Sequence, residues 1–261
     1  MPLPPVIDAR DVTVRYRVTG ERNSRRSDLL SRLRSRRSPY LALDSASMTV
    51  GYGEMFFLVG RNGAGKSTML KVLAQTLVPD SGSVTYRGRV TSFLSMGLGF
   101  QENLTGDQNL DFALTLMGVP DRDIPEKREE INAFTSLGAF MQMPVSSYSA
   151  GMRTRLGFAI ATSLEPDILI MDEILNAGDK QFRDAAEQRL ELMMSKAKAI
   201  VIATHDTQQV LDRGHRAAWF EAGRVCAIGD PRDVVHEYNV FVSRLKDDPD
   251  AALHAQNSRF E

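Results

Sequence analysis

Hydrophobic positions along this chain change period several times, and each change predicts an element. Val6 to Val18 alternates as a strand does, with Val12, Val14 and Tyr16 on one face. Ala42 to Val50 and Glu54 to Val59 read as two further strands. The unbroken run Phe56-Phe57-Leu58-Val59 suits a strand buried on both faces. Gly60 to Gly65 follows at once, and Lys66 through Leu77 predicts a helix. Pro79-Asp80-Ser81-Gly82 is a turn, and Val84 to Ser92 carries more strand pattern. Asp107 to Met117 has helical period, which places Leu110, Leu114 and Met117 on one side. Glu126 to Met141 is helical again, as is Arg153 to Ser163. Asp167 to Met171 and Ala199 to Thr204 are apolar strands.

Strands alternating with helices argue for an α/β fold. The stretch from about Phe100 to Glu165 is mostly helical and breaks the alternation, so it reads as an inserted helical lobe, residues 100–165. The main domain is expected over residues 1–245, with a polar tail over 246–261.

Composition changes this picture little. With 43% hydrophobic and 25% charged residues in 261, the chain has the make-up of a soluble globular protein. The single cysteine, Cys226, rules out an internal disulfide framework and fits a reducing compartment. Prolines stand near the N-terminus where a signal core would be, so no signal peptide is expected. No apolar run approaches the ~20 residues of a membrane-spanning helix. Charge is more informative. The net charge is -1, yet Arg22, Arg25, Arg26, Arg32, Arg34, Arg36 and Arg37 face Asp28 alone, a local charge of +6. This basic insertion, about residues 20–39, surrounds Leu29, Leu30 and Leu33. It reads either as a short basic amphipathic helix for anionic headgroups or as a solvated loop. A near-neutral whole gives no reason to expect nucleic acid as a partner.

Two motifs carry chemistry. Gly60-Arg61-Asn62-Gly63-Ala64-Gly65-Lys66-Ser67 fits G-x-x-x-x-G-K-[ST], between a predicted strand and a predicted helix. Glycines there let backbone N–H groups converge on an anion, and the helix start adds partial positive charge. Gly60, Asn62, Gly63, Ala64, Gly65, Lys66, Ser67 and Thr68 are therefore the candidate phosphate site. Lys66 is expected to reach the outer phosphates and Ser67 to ligate Mg²⁺. The strand Ile168-Leu169-Ile170-Met171 ends in Asp172 and Glu173, where open α/β sheets bind ligands. Asp172 suits a metal contact and Glu173 the polarisation of an attacking water. His205, after the strand Ala199 to Thr204, is placed to sense a γ-phosphate.

These motifs, with Tyr148-Ser149-Ala150-Gly151-Met152 and Asn176-Ala177-Gly178-Asp179, give the chain a resemblance to the nucleotide-binding subunits of ABC transporters. The family's commonest signature is Leu-Ser-Gly-Gly-Gln. The variant here is similar to the Tyr-Ser-Ser-Gly-Met of bacterial polysaccharide exporters of O-antigen, capsule or teichoic acid. Gly99 to Gly106 and Met152 to Phe158 resemble that branch too.

The resemblance implies a P-loop NTPase core sheet with flanking helices, an antiparallel β subdomain and the inserted helical lobe. It implies ATP and Mg²⁺ as cofactors, and a homodimer with ATP at each seam. Lys66, Ser67, Asp172, Glu173 and His205 of one copy would face Ser149 and Gly151 of the other. Tyr16 matches the aromatic that stacks on adenine, and Asp179 joins the nucleotide site. Two copies of a membrane-embedded permease would carry a lipid-linked polysaccharide, with this chain peripheral on the cytoplasmic face of the bacterial inner membrane. Exporters of this type have an insertion where the arginines lie, and arginine forks bind pyrophosphate well. The family's usual glutamine at the start of the lobe would fall near Ser95 and Met96, and Gln101 comes too late to replace it. The lobe around Met96 to Leu104 is expected to receive the permease's coupling helix. The chain ends soon after the ATPase core, so no appended sugar-binding domain is expected. Other readings are export of a lipid or drug, or a soluble non-transport ABC ATPase.

Overall fold

A computed structural model describes residues 4–16, 40–94, 99–172 and 180–247. The arginine segment 22–37, Ser95, Met96, Glu173, Asn176 to Asp179 and the tail beyond Asp247 lie outside the described residues. In chain order the strands are β1 (Ile7–Tyr16), β2 (Tyr40–Val50), β3 (Glu54–Val59), β4 (Ser81–Tyr86), β5 (Val90–Ser92), β6 (Ile168–Asp172), β7 (Ala199–Ala203), β8 (Arg216–Glu221) and β9 (Arg224–Gly229). The α-helices are α1 (Lys66–Leu73), α2 (Gly106–Leu116), α3 (Ile124–Thr135), α4 (Ala150–Ala161), α5 (Lys180–Lys196), α6 (Thr207–Arg213) and α7 (Pro231–Asp247). The chain forms two compact units, one of Met1–Arg87 with Val201–Glu261 and one of Gly88–Ile200.

In the first unit β1 pairs antiparallel with β2 on one side and β4 on the other. The alternation along β1 is not continuous. Asp11 has φ 51°, and the register shifts between Ala9 and Val12. Asp11 N–H bonds the Ser47 hydroxyl at 2.8 Å instead of the ladder. The bulge lets Val12, Thr13 and Val14 all be buried, while Tyr16 is 39% exposed. β3 is buried along nearly its whole length, with Phe56, Phe57 and Leu58 at 0% exposure. It runs parallel to β8, which turns back into β9. Thr204 N–H bonds the Leu58 carbonyl at 3.1 Å, which brings the end of β7 beside the end of β3.

α1 is shorter than its periodicity predicts. Gln75 adopts φ 60°; its N–H bonds the Val72 carbonyl and the Thr76 N–H bonds the Lys71 carbonyl, each at 3.0 Å, a Schellman closure. The strand pattern from Val84 to Ser92 is two strands in separate units, β4 and β5, and Gly88 has φ 145° between them.

In the second unit β5 and β6 are parallel. Asp167 accepts Arg89 N–H at 2.8 Å and pairs with Lys198 at 2.7 Å; the lysine holds its carboxyl below the usual range. α2, α3 and α4 pack around Leu110, Leu114, Ile131, Val145, Leu156 and Ile160, each 6% exposed or less. Burial of this kind contributes about 1.5–3 kcal/mol per large side chain. Phe158 stacks on Phe93 and Phe134, and Phe182 meets it edge-on. The helix expected from Glu126 to Met141 starts at Ile124, with Pro125 in its first turn, and stops at Ser136, whose φ is 53°. A 3₁₀ turn over Gly138–Gln142 follows. Among the described residues no helix is long and apolar enough to cross a membrane.

Candidate active site

The P-loop starts where the buried strand β3 ends. Gly60 has φ 145°, and a Cβ there would sit 2.2 Å from the Phe220 carbonyl oxygen. Gly65, the residue before α1, has φ 112°, and its Cβ would meet the Ala42 carbonyl at 2.8 Å. Both positions accept only glycine, for conformation and for space. Gly63, at φ 78°, has nothing within 4 Å of where a Cβ would be. Its freedom faces a cavity of about 420 Å³ lined by Asn62 to Thr68 together with Tyr40 and Ala42.

That cavity has the chemistry of an anion site. It opens on the N-terminus of α1, whose first turn carries no acidic residue. The Lys66 ammonium donates to the Gly60 carbonyl at 2.5 Å and the Arg61 carbonyl at 3.1 Å, so it is folded back over the loop it serves. A phosphate cradle of glycines, helix start and lysine fits the residues present.

His205 follows β7 in the same unit, one residue past Thr204, the residue tied to β3. Asp206 then caps α6 by accepting from Gln208 N and Gln209 N at 2.9 and 3.2 Å. His205 therefore stands between the end of β7, tied to β3 through Thr204, and the start of α6. Tyr16 ends β1 directly opposite Tyr40 of β2. Residues so paired share one face of the sheet, so Tyr16 neighbours Tyr40, which lines the cavity, without itself lining it. The Tyr40 hydroxyl is 3.5 Å from the Gly63 carbonyl. Tyr40 carries no signal in the sequence, because a strand-opening tyrosine has no phosphate signature.

The remaining candidates belong to the second unit or lie outside the described residues. Asp172 ends β6 and is exposed, after four buried residues, Ile168 to Met171. Glu173 and Asp179 are outside the described residues. Ser149 is the N-cap of α4, its hydroxyl accepting Met152 N–H at 3.2 Å. The helix thus begins at Ala150 rather than Arg153, because Ser149 caps it and places Gly151 in the first turn. A Cβ on Gly151 would meet only the Ser149 hydroxyl, at 3.9 Å. Tyr148 has a structural part. Its hydroxyl donates to the Phe140 carbonyl at 2.7 Å and fills space that a Cβ on Gly106 would take, 2.2 Å away.

The segment after Gly99 is held by Asn109, which is 1% exposed. Its amide accepts from Gln101 N at 2.7 Å and donates to the carbonyls of Gln101, Leu104 and Thr105 at 3.0 to 3.2 Å. Thr105 and Gln108 form a reciprocal capping box on α2. Arg153 forks onto Glu102 and holds that carboxyl below its ordinary range. Beside this segment lies a groove of about 370 Å³ floored by Phe100, Phe112, Leu116 and Met117.

Comparison with known proteins agrees with this geometry. Residues 43–176 match the ABC transporter family. The chain is 36% identical over 241 residues to the "O-antigen export system ATP-binding protein RfbB" of Klebsiella pneumoniae, covering 90% of this chain and 97% of that protein. It is 35% identical over 252 residues to a protein of the same name from Myxococcus xanthus, covering 92% of this chain but 58% of that longer protein. Among solved structures, "Structure of ATP binding subunit of ABC transporter" superposes with a TM-score of 0.67 at 21% identity, over 90% of this chain and 93% of that one. The architecture is the P-loop core with an antiparallel β subdomain and a helical lobe, and the chain belongs to the ABC transporter family as one of its ATP-binding-cassette ATPases.

Proposed function

We propose that this chain hydrolyses ATP to drive export of a lipid-linked polysaccharide of the O-antigen, capsule or teichoic acid kind, working as a homodimer on a membrane-embedded permease. The observation that carries this reading is the nearly end-to-end similarity to a Klebsiella protein named for O-antigen export. The Ser149-Ala150-Gly151-Met152 signature variant points the same way. The ATPase domain is taken as residues 1–245, with the lobe at 100–165 and the basic insertion at 20–39.

In this reading the backbone N–H groups from Asn62 to Thr68 cradle the phosphates, and Lys66 leaves the loop carbonyls to bind the outer two. Ser67 and Asp172 hold Mg²⁺, which when bound neutralises charge on those phosphates. Among the described residues no cluster of three or more His, Cys, Asp or Glu side chains could hold a metal alone. A hydroxyl and a carboxylate are the hard oxygen donors that Mg²⁺ takes beside waters and phosphate oxygens. Glu173 polarises the attacking water, His205 senses the γ-phosphate and Asp179 completes the site. Tyr16 stacks on the purine beside Tyr40.

Ser149 and Gly151 serve the nucleotide of the second copy. Glycine costs about 1 kcal/mol in a helix relative to alanine, and among the described residues nothing beyond the Ser149 hydroxyl comes within 4 Å of a Cβ at Gly151. An anion arriving from outside at the start of α4 supplies a reason for the glycine. The groove at Phe100, Phe112 and Leu116 receives the permease, which places the chain peripherally on the cytoplasmic face.

The test of the catalytic reading is Glu173→Gln. It should retain ATP binding, lose about 10²–10⁴-fold in turnover, and accumulate an ATP-bound dimer on size exclusion. Turnover within a few-fold of the parent removes Glu173 from the mechanism. The cargo is tested by co-purifying the permease and identifying its bound lipid-linked glycan.

A further inference from the structure

Within the G-x-x-x-x-G-K-[ST] pattern the second residue is unconstrained, yet the Arg61 side chain has both a carboxylate and a ring as partners. Its Nε and Nη2 donate to the two oxygens of Glu221 at 3.3 and 3.0 Å, a fork-to-fork pair. Glu221 ends β8, and its side chain is only 11% exposed. On its other side the guanidinium lies 5.9 Å from the ring centroid of Phe241 in α7. Phe241 is held in turn by Trp219, with ring centroids 4.9 Å apart, and Tyr238 meets the same indole at 6.2 Å.

The main chain around Arg61 is tied to the same elements. The Arg61 carbonyl accepts from the Lys66 ammonium at 3.1 Å. Gly223, in the β8–β9 turn, donates its N–H to the Ala64 carbonyl at 2.9 Å. The Phe220 carbonyl is the atom that forbids a side chain at Gly60. The P-loop is therefore backed by residues 220–223, and Arg61 fastens it through Glu221 to β8 and through Phe241 to the last helix.

We infer that Arg61 is a positioning residue, and that Glu221 and Phe241, acting through it, hold the loop carbonyl on which Lys66 rests, so that the seating of α7 sets nucleotide affinity. This rests on the reading that Lys66 and its loop bind the phosphates. Neither Glu221 nor Phe241 lines the phosphate cavity. Their effect is preorganisation: a loop already fixed loses less freedom when nucleotide binds. Loosening the clamp weakens binding and leaves the chemical step, which uses other groups, unchanged.

The experiment is a double-mutant cycle on the full chain, with equilibrium MgATP titration, steady-state ATPase kinetics and thermal melting of each variant. Phe241→Leu keeps an apolar filler without the ring face and should raise Kd and KM about two- to fivefold with kcat unchanged. Glu221→Gln keeps the shape without the charge and should raise them about three- to tenfold. In an Arg61→Ala background neither substitution should change Kd further. If both lower the melting temperature while Kd stays put, or if their effects on Kd persist undiminished without Arg61, the clamp is overturned and the residues only pack. Lys66→Ala is the separate control. Should it bind MgATP as tightly as the parent, the phosphate-binding reading fails, a result distinct from failure of the clamp.

Discussion

At the scale of single residues, the two kinds of glycine in the P-loop separate folding from binding. Gly60 combines φ 145° with a Cβ position 2.2 Å from the Phe220 carbonyl. Gly60→Ala must move either β8 or the loop, and a cost of about 2–4 kcal/mol is expected from strain and clash together. Gly63→Ala meets no atom within 4 Å, so its cost is the positive φ alone, about 1–2 kcal/mol. Its methyl group points where a phosphate would lie, however. Denaturant unfolding should rank Gly60→Ala below Gly63→Ala in stability, whereas MgATP titration should find Gly63→Ala impaired well beyond its loss of stability. Equal stability losses in the two variants would count against this division. The sequence pattern requires Gly60 and Gly65 and leaves position 63 open, and it does not record what stands opposite each Cα. Tyr40, Arg61 and Glu221 were illegible for the same reason: their partners are 23, 160 and 160 residues away in sequence.

Elements were legible where burial imposed a clean period. β3, β6 and β7 are apolar on both faces, and their positions follow from composition alone. Boundaries set by backbone reversals were not. Gln75 and Ser136 adopt positive φ with side chains that do not advertise it, so α1 and α3 stop sooner than their periodicity. The hairpin β8–β9 and helices α5 and α6 lack a clean period in the sequence. β9 alternates only between half-buried and exposed, which dilutes a period-2 signal. Nor does periodicity reveal what orders a loop. The segment Gln101 to Thr105 is held by four hydrogen bonds to the Asn109 amide. Asn109→Leu should cost about 1–3 kcal/mol, since it leaves the Gln101 N–H without its acceptor and removes one of the two hydrogen bonds at each of the Gln101, Leu104 and Thr105 carbonyls. Asn109→Asp keeps the acceptor and loses the donors. Hydrogen exchange is expected to report faster exchange at residues 101–105 in both variants, and unchanged protection there would show the amide to be dispensable.

For the whole molecule, the open matters are what lies outside one copy of the chain. The arginine segment supplies no phosphate-binding motif, so replacing Arg25, Arg26, Arg32, Arg34, Arg36 and Arg37 with Ser should leave ATPase activity near that of the parent. Liposome binding should fall, because each arginine near an anionic surface contributes about 1 kcal/mol and salt screens it. Unchanged liposome binding would make the segment a solvated loop. The second matter is whether nucleotide sites are shared between copies. The candidate phosphate cavity lies in the unit containing the P-loop, while Ser149 caps and Gly151 starts α4 in the other unit, where among the described residues a Cβ on Gly151 would meet only the Ser149 hydroxyl. If two copies pair head to tail, each site takes its P-loop from one and its signature from the other. Ser149→Arg then spoils both sites of its own dimer by placing a bulky cation where the second copy's phosphate would enter. Lys66→Ala spoils both by removing the ammonium that binds it. Mixed dimers of the two hold one site spoiled twice and one built wholly from intact halves. Random pairing in a two-fold dimer gives half mixed species with one good site each, so roughly a quarter of parental turnover is expected from the mixture. Each variant alone should show almost none. Turnover in the mixture no greater than in either variant, with mixed dimers demonstrated by differential tagging, would mean that Ser149 does not complete a site across the pair.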